Sequence, residues 1–113
     1  MILQTIRFRV PKKRERAMVA FMRQEARRLL RRVPACRAAY FLGTASTSLG
    51  AGPARKGPKR AGEYMWVTLW TSEAARKRAM RRKDWREVAR QEEEAGFFAG
   101  KPQARHYKVL LKK

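Results

Sequence analysis

The stretch Glu63-Tyr64-Met65-Trp66-Val67-Thr68-Leu69-Trp70-Thr71-Ser72-Glu73-Ala74 decides the fold. Through Trp70 it alternates: Tyr64, Trp66, Thr68 and Trp70 fall on one face of a strand, Met65, Val67 and Leu69 on the other. Both faces are largely apolar, so both need cover. Ser72 then offers a helix N-cap, and Glu73 puts a negative charge in the first turn, where the helix dipole favours it. The strand therefore feeds straight into a helix.

Upstream, residues 2–10 alternate with Ile6, Phe8 and Val10 on one face and Thr5, Arg7 and Arg9 on the other, a strand closed by Pro11. From Arg14 to about Val33 the period lengthens. Met18, Phe21, Met22, Ala26, Leu29 and Val33 step by threes and fours into an apolar stripe, joined by Glu25, and Pro34 closes this amphipathic helix. Ala35 to Leu42 reads as a second strand, with Cys36, Ala38, Tyr40 and Leu42 on one face and Ala39 and Phe41 on the other. Residues 43–62 hold five Gly, two Pro and four basic residues without an acid, and read as a flexible basic loop.

Downstream, helical character runs to about Ala95 with a break near Lys83, where Asp84 and Glu87 have capping-box spacing. Trp85, Val88, Ala89 and Glu92 share one side of the second piece, and Gly96 terminates it. Glu92-Glu93-Glu94 reads as a solvated charge run. Arg105 to Leu111 forms the last strand, with Tyr107, Val109 and Leu111 on one face and His106 on the other.

The order β-α-β-β-α-β predicts an α+β, ferredoxin-like split βαβ domain spanning residues 1–113, with both helices on one face of an antiparallel sheet. The other face would then leave Met65, Val67 and Leu69 in water, a patch larger than monomers usually expose. A second copy packed sheet to sheet removes it, so a homodimer is expected.

The chain of 113 residues carries 29 Lys and Arg against 9 Asp and Glu, a formal charge of +20. Its 44% hydrophobic residues exclude a disordered basic tail. One Cys and one His exclude an intrachain disulfide and a Cys- or His-rich metal site, so no metal is expected. No apolar run is long enough to span a membrane, and no signal-peptide pattern opens the chain, which predicts a cytoplasmic protein without a membrane partner. Arg16, Arg23, Arg27 and Arg31 form one basic stripe and Arg78, Arg82, Arg86 and Arg90 another, a surface suited to phosphates.

Together these elements resemble the antibiotic-biosynthesis-monooxygenase-like family of dimeric α+β barrel proteins. The resemblance rests on Phe8 and Val10 in the first strand, the helix over 14–33, Val33-Pro34-Ala35, and above all the strand ending Trp70-Thr71-Ser72-Glu73-Ala74. It implies a small-molecule-binding protein, and an enzyme only if the chain is one of the family's cofactor-independent oxygenases acting on flat apolar substrates. No cofactor is then needed. Heme-degrading members use an Asn on the first strand and a Trp and a His on the second helix. Here the first strand has no Asn, and the matched helix positions are Ala79 and Ala89, which argues against heme as substrate.

Phe8, Tyr40, Trp66, Trp70 and Trp85 are the candidate lining of a pocket for such a ligand, though aromatics at this spacing also simply fill cores. His106, the sole imidazole, is the candidate general base, or else a partly exposed sheet residue. Cys36 reads as a small hydrophobe rather than a nucleophile. The competing class is a nucleic-acid-binding module that holds phosphates non-specifically, at low salt, through the Arg-striped helices. A cavity between sheet and helices with a polar group on its wall would favour the small-molecule reading.

Overall fold

The computed structural model describes residues 1–43, 62–111 and 113. The basic loop predicted over 43–62 lies almost wholly outside them. Four strands form one antiparallel sheet in the order β2-β3-β1-β4: β1 (Ile2–Val10), β2 (Cys36–Gly43), β3 (Gly62–Trp70) and β4 (Gln103–Lys108). The central pair is in continuous register from Ile2 opposite Trp70 to Val10 opposite Gly62. This is the ferredoxin-like arrangement that the element order predicted. Helices pack on the face carrying Phe8, Val10, Tyr64 and Trp70.

The first helical run is not one uniform helix. A 3-10 turn (Lys12–Arg14) leads into α1 (Glu15–Phe21), a π-helical turn (Met22–Ala26) and α2 (Arg27–Arg31). Met18, Met22 and Ala26 are spaced by four, and each such step overshoots an α-turn by about 40°. The wider π turn offsets that drift and keeps all three buried against the sheet. Beneath them lies a residue the periodicity did not single out. The Glu15 carboxylate is buried, accepts from the Tyr64 hydroxyl at 3.2 Å, and lies directly over the backbone of Gly62.

Ser72 caps α3 (Glu73–Met80) as expected, its hydroxyl accepting from the Ala75 N–H at 3.1 Å. The break before α4 (Lys83–Glu94) is also present, but Asp84 is not the cap. The helix starts at Lys83, which puts Asp84 inside the first turn. Its carboxylate takes the Trp85 N–H and the Arg82 guanidinium, and Arg82 holds it below the usual carboxylate range. Gly96 ends α4 at a φ of 68°, a left-handed position open to glycine at no steric cost.

Two placements differ from expectation. The β2–β3 ladder shifts register between Cys36 and Ala38, so Cys36 pairs with Trp70 on the helix-covered side while Ala38, Tyr40 and Leu42 face the opposite side. A β-bulge absorbs Arg37 there and separates residues that strict alternation would put together. The last strand starts two residues and ends three residues earlier than predicted, because its partner β1 begins at Ile2 and offers little ladder beyond Lys108. Leu110 and Leu111 are consequently exposed.

The sheet face away from the helices carries Leu3, Met65, Val67 and Leu69 in the centre and Tyr40, Leu42 and Tyr107 at the edges. None of these is fully buried, and Tyr40 is 62% exposed. Among the described residues, no helix is long and apolar enough to cross a membrane.

Candidate active site

The helix-covered side holds two buried clusters. One gathers Phe8, Val10, Met18, Met22, Ala26, Tyr64 and Phe97; the other gathers Val33, Trp70 and Ala79, with Trp85 packed on it. Where they meet, the core is not filled. A cavity of about 180 Å³ takes Phe8 and Ala26 from the first cluster, Trp70 and Trp85 from the second, and Leu29, Leu30, Trp66 and Val88 between them. Four of the five predicted pocket aromatics, Phe8, Trp66, Trp70 and Trp85, thus line one space. Tyr40 does not join them; it stands on the far face of the sheet.

Three polar side chains interrupt this apolar lining: Gln4, Thr68 and Glu92. Gln4 and Thr68 lie opposite each other on β1 and β3, and both are buried. The Thr68 oxygen accepts from the Trp70 indole N–H at 2.8 Å. Its own hydrogen finds no acceptor among the described residues and is free to be given to a ligand oxygen. Glu92 comes from the last turns of α4, four residues beyond Val88 and seven beyond Trp85, so helical geometry brings it to the same wall. No hydrogen bond or ion pair reaches it among the described residues, and burial alone pushes its carboxyl up to about 7.

Glu92 therefore does not behave as part of a solvated run. Glu93 and Glu94 do point to water, and Glu94 accepts from Arg90 at 2.6 Å. The helical spacing that puts Glu92 on the side of Trp85 and Val88 is what separates it from the other two, and it outranks the run of like charges.

His106 does not line the cavity. It sits opposite Gln4 on β4 and is exposed, with its Nε2 3.1 Å from the Gln4 side-chain nitrogen, so it touches the site only through that amide. The Cys36 thiol donates to the Ala38 carbonyl at 3.5 Å, and burial raises its pKa, which disfavours the nucleophilic thiolate. Of the positions matched to heme-degrading enzymes, Ala79 is buried against Trp70 and Ala89 is exposed.

The eight stripe arginines are all exposed. In the second stripe Arg82 pairs with Asp84 at 3.0 Å, and Arg90 is held by Glu87 and Glu94. That leaves Arg78 and Arg86 without an acidic partner among the described residues, a weaker polyanion surface than eight free guanidinium groups would make.

No family model matches the chain, and no curated protein matches it. Solved structures do match across nearly its full length. An antibiotic biosynthesis monooxygenase superposes with a TM-score of 0.70 at 11% identity, covering 98% of this chain and 100% of that one. HapK from Hahella chejuensis gives 0.72 at 10% identity, covering 100% and 96%. SnoaB from Streptomyces nogalater, a cofactor-independent oxygenase, gives 0.64 at 15% identity, covering 98% and 94%. At these identities the likeness speaks for the backbone arrangement, and the chain carries the fold of the antibiotic-biosynthesis-monooxygenase-like proteins.

Proposed function

We propose that the chain binds a small, flat, apolar molecule in this cavity and oxygenates it without a cofactor, with Glu92 as the general base. The observation that carries the reading is a lone carboxyl, raised to about 7, on the wall of an otherwise largely apolar cavity. A base with that pKa is half ionised near neutrality and strong enough to take an acidic C–H or O–H proton. Without a cofactor, the electrons that reduce oxygen come from the deprotonated substrate. An activated CH₂ gives one proton to Glu92, and the electron pair left on carbon forms the new C–O bond with O₂. The resulting peroxide anion is protonated. Loss of water from the CH–OOH centre leaves a carbonyl, so one O₂ yields one C=O and one H₂O. Thr68 can donate its free hydrogen to a substrate oxygen that gains charge as the proton leaves.

Anthrone, whose methylene is acidified by the carbonyl conjugated to it through two rings, is a suitable probe. Oxygen uptake above the buffer rate, half-maximal near pH 7 and abolished in Glu92→Gln, is expected. Uptake no faster than buffer, or unchanged in Glu92→Gln, would refute the reading.

The homodimer is part of the same proposal, with the uncovered sheet face around Val67 as its interface. Sedimentation at micromolar concentration should give twice the chain mass, and a stable monomer would remove it. Val67→Asp, which would bury an unpaired charge in that interface, should dissociate the pair or unfold the chain.

A further inference from the structure

A groove of about 440 Å³ runs between α1–α2 and the start of β2, and it shares Leu30 and Trp66 with the cavity. Those two half-buried side chains are the partition between the spaces. Arg23, Arg27 and Arg31 line the groove at intervals of four residues. On the same helical run Arg28 is tied to Glu25. The three in the groove have no acidic partner among the described residues.

We propose that the ligand of the cavity is an aromatic carboxylate, its ring against the tryptophans and its carboxylate in the groove on Arg23, Arg27 and Arg31. This rests on the cavity being the ligand site and names the class of molecule it takes. The space of about 180 Å³ falls below the roughly 300–1,000 Å³ of sites that enclose a whole ligand, so a bound molecule extends past the partition. Beyond Leu30 and Trp66 it meets guanidinium groups, whose planar donor forks match a carboxylate. Glu92 lines the cavity and not the groove, so a ligand in this orientation keeps its own negative charge away from that carboxyl. The reverse orientation would put two anions together.

All three tryptophans of the chain line the cavity, so intrinsic fluorescence reports its occupancy directly. The probes are 2-naphthoate and neutral 2-naphthamide, titrated at low salt into the wild-type chain, Arg27→Gln/Arg31→Gln and the charge-matched control Arg78→Gln/Arg86→Gln. The wild type and the control should bind naphthoate about tenfold more tightly than naphthamide, and the groove variant should bind the two alike. Equal affinity of the wild type for both probes would overturn the carboxylate assignment and leave the cavity as a ligand site. The same loss of preference in the control would assign it to diffuse charge and overturn the proposal. Quenching by neither probe would remove the cavity reading and this inference together.

Discussion

The Trp70 indole donates to the Thr68 hydroxyl at 2.8 Å within a single strand, both residues fully or nearly buried at the wall of the cavity. One oxygen thus satisfies a buried N–H, while the hydrogen on it has no acceptor among the described residues. Thr68→Val keeps the shape and strands the indole N–H, at a cost of about 1–3 kcal/mol in urea denaturation. Thr68→Ser should recover most of the stability. If oxygen uptake depends on the hydroxyl hydrogen, Ser should restore that too.

Glu92 makes stability depend on pH with an unusual sign for a carboxylate. Its folded-state pKa, about 7, lies above the ordinary 4.5, so between those values the folded chain holds a proton that the unfolded chain has released. The stabilisation is full below about pH 4.5 and is lost as pH rises through 7. Unfolding free energies from urea denaturation at pH 5 and pH 8 should differ by about 1–3 kcal/mol more in the wild type than in Glu92→Gln. Equal pH dependence in the two chains would place Glu92 in water.

Gly62 is required by what lies over it. A Cβ built there would collide with the Glu15 carboxylate oxygen and come within 3.0 Å of the Tyr64 ring. Glu15 is 1% exposed and bonded to Tyr64, so moving it aside disturbs a buried contact. Gly62→Ala should cost at least about 1–3 kcal/mol by thermal or urea melting, with no change in oligomeric state.

The basic surface gives a measurement that separates charge from purpose. If about six phosphates of duplex DNA are neutralised, log K against log salt should fall with a slope near −5. Binding should vanish near physiological salt and ignore sequence. Tight binding in an anisotropy titration at 0.2 M salt, or a preferred sequence, would favour nucleic acid as the partner.

Strand identity, element order and the capped start of α3 were legible because alternation and Ser72 are local signals. The cavity aromatics were legible for the same reason: Trp66 and Trp70 share a strand face, and Phe8 shares the corresponding face of its neighbour. Tyr40 and Cys36 were misplaced because a bulge changes the parity of a strand without changing its composition. Glu92 was obscured by its neighbours Glu93 and Glu94, since its environment depends on how α4 docks against the sheet. The Glu15–Tyr64 bond joins residues 49 apart and leaves no trace in local pattern.

The bulge at Arg37 bears on how the chain tolerates changes in length. Cys36 is opposite Trp70 and Ala38 opposite Leu69, so one residue of β2 has no counterpart on β3. Removing Arg37 would join these two pairs into an unbroken ladder, and every later side chain would keep its present face. Removing Ala39 instead would leave the bulge in place and turn the rest of the strand over, carrying Tyr40 and Leu42 inward and Phe41 out of the core. Two deletions two positions apart should therefore have opposite fates, the first a folded protein and the second not.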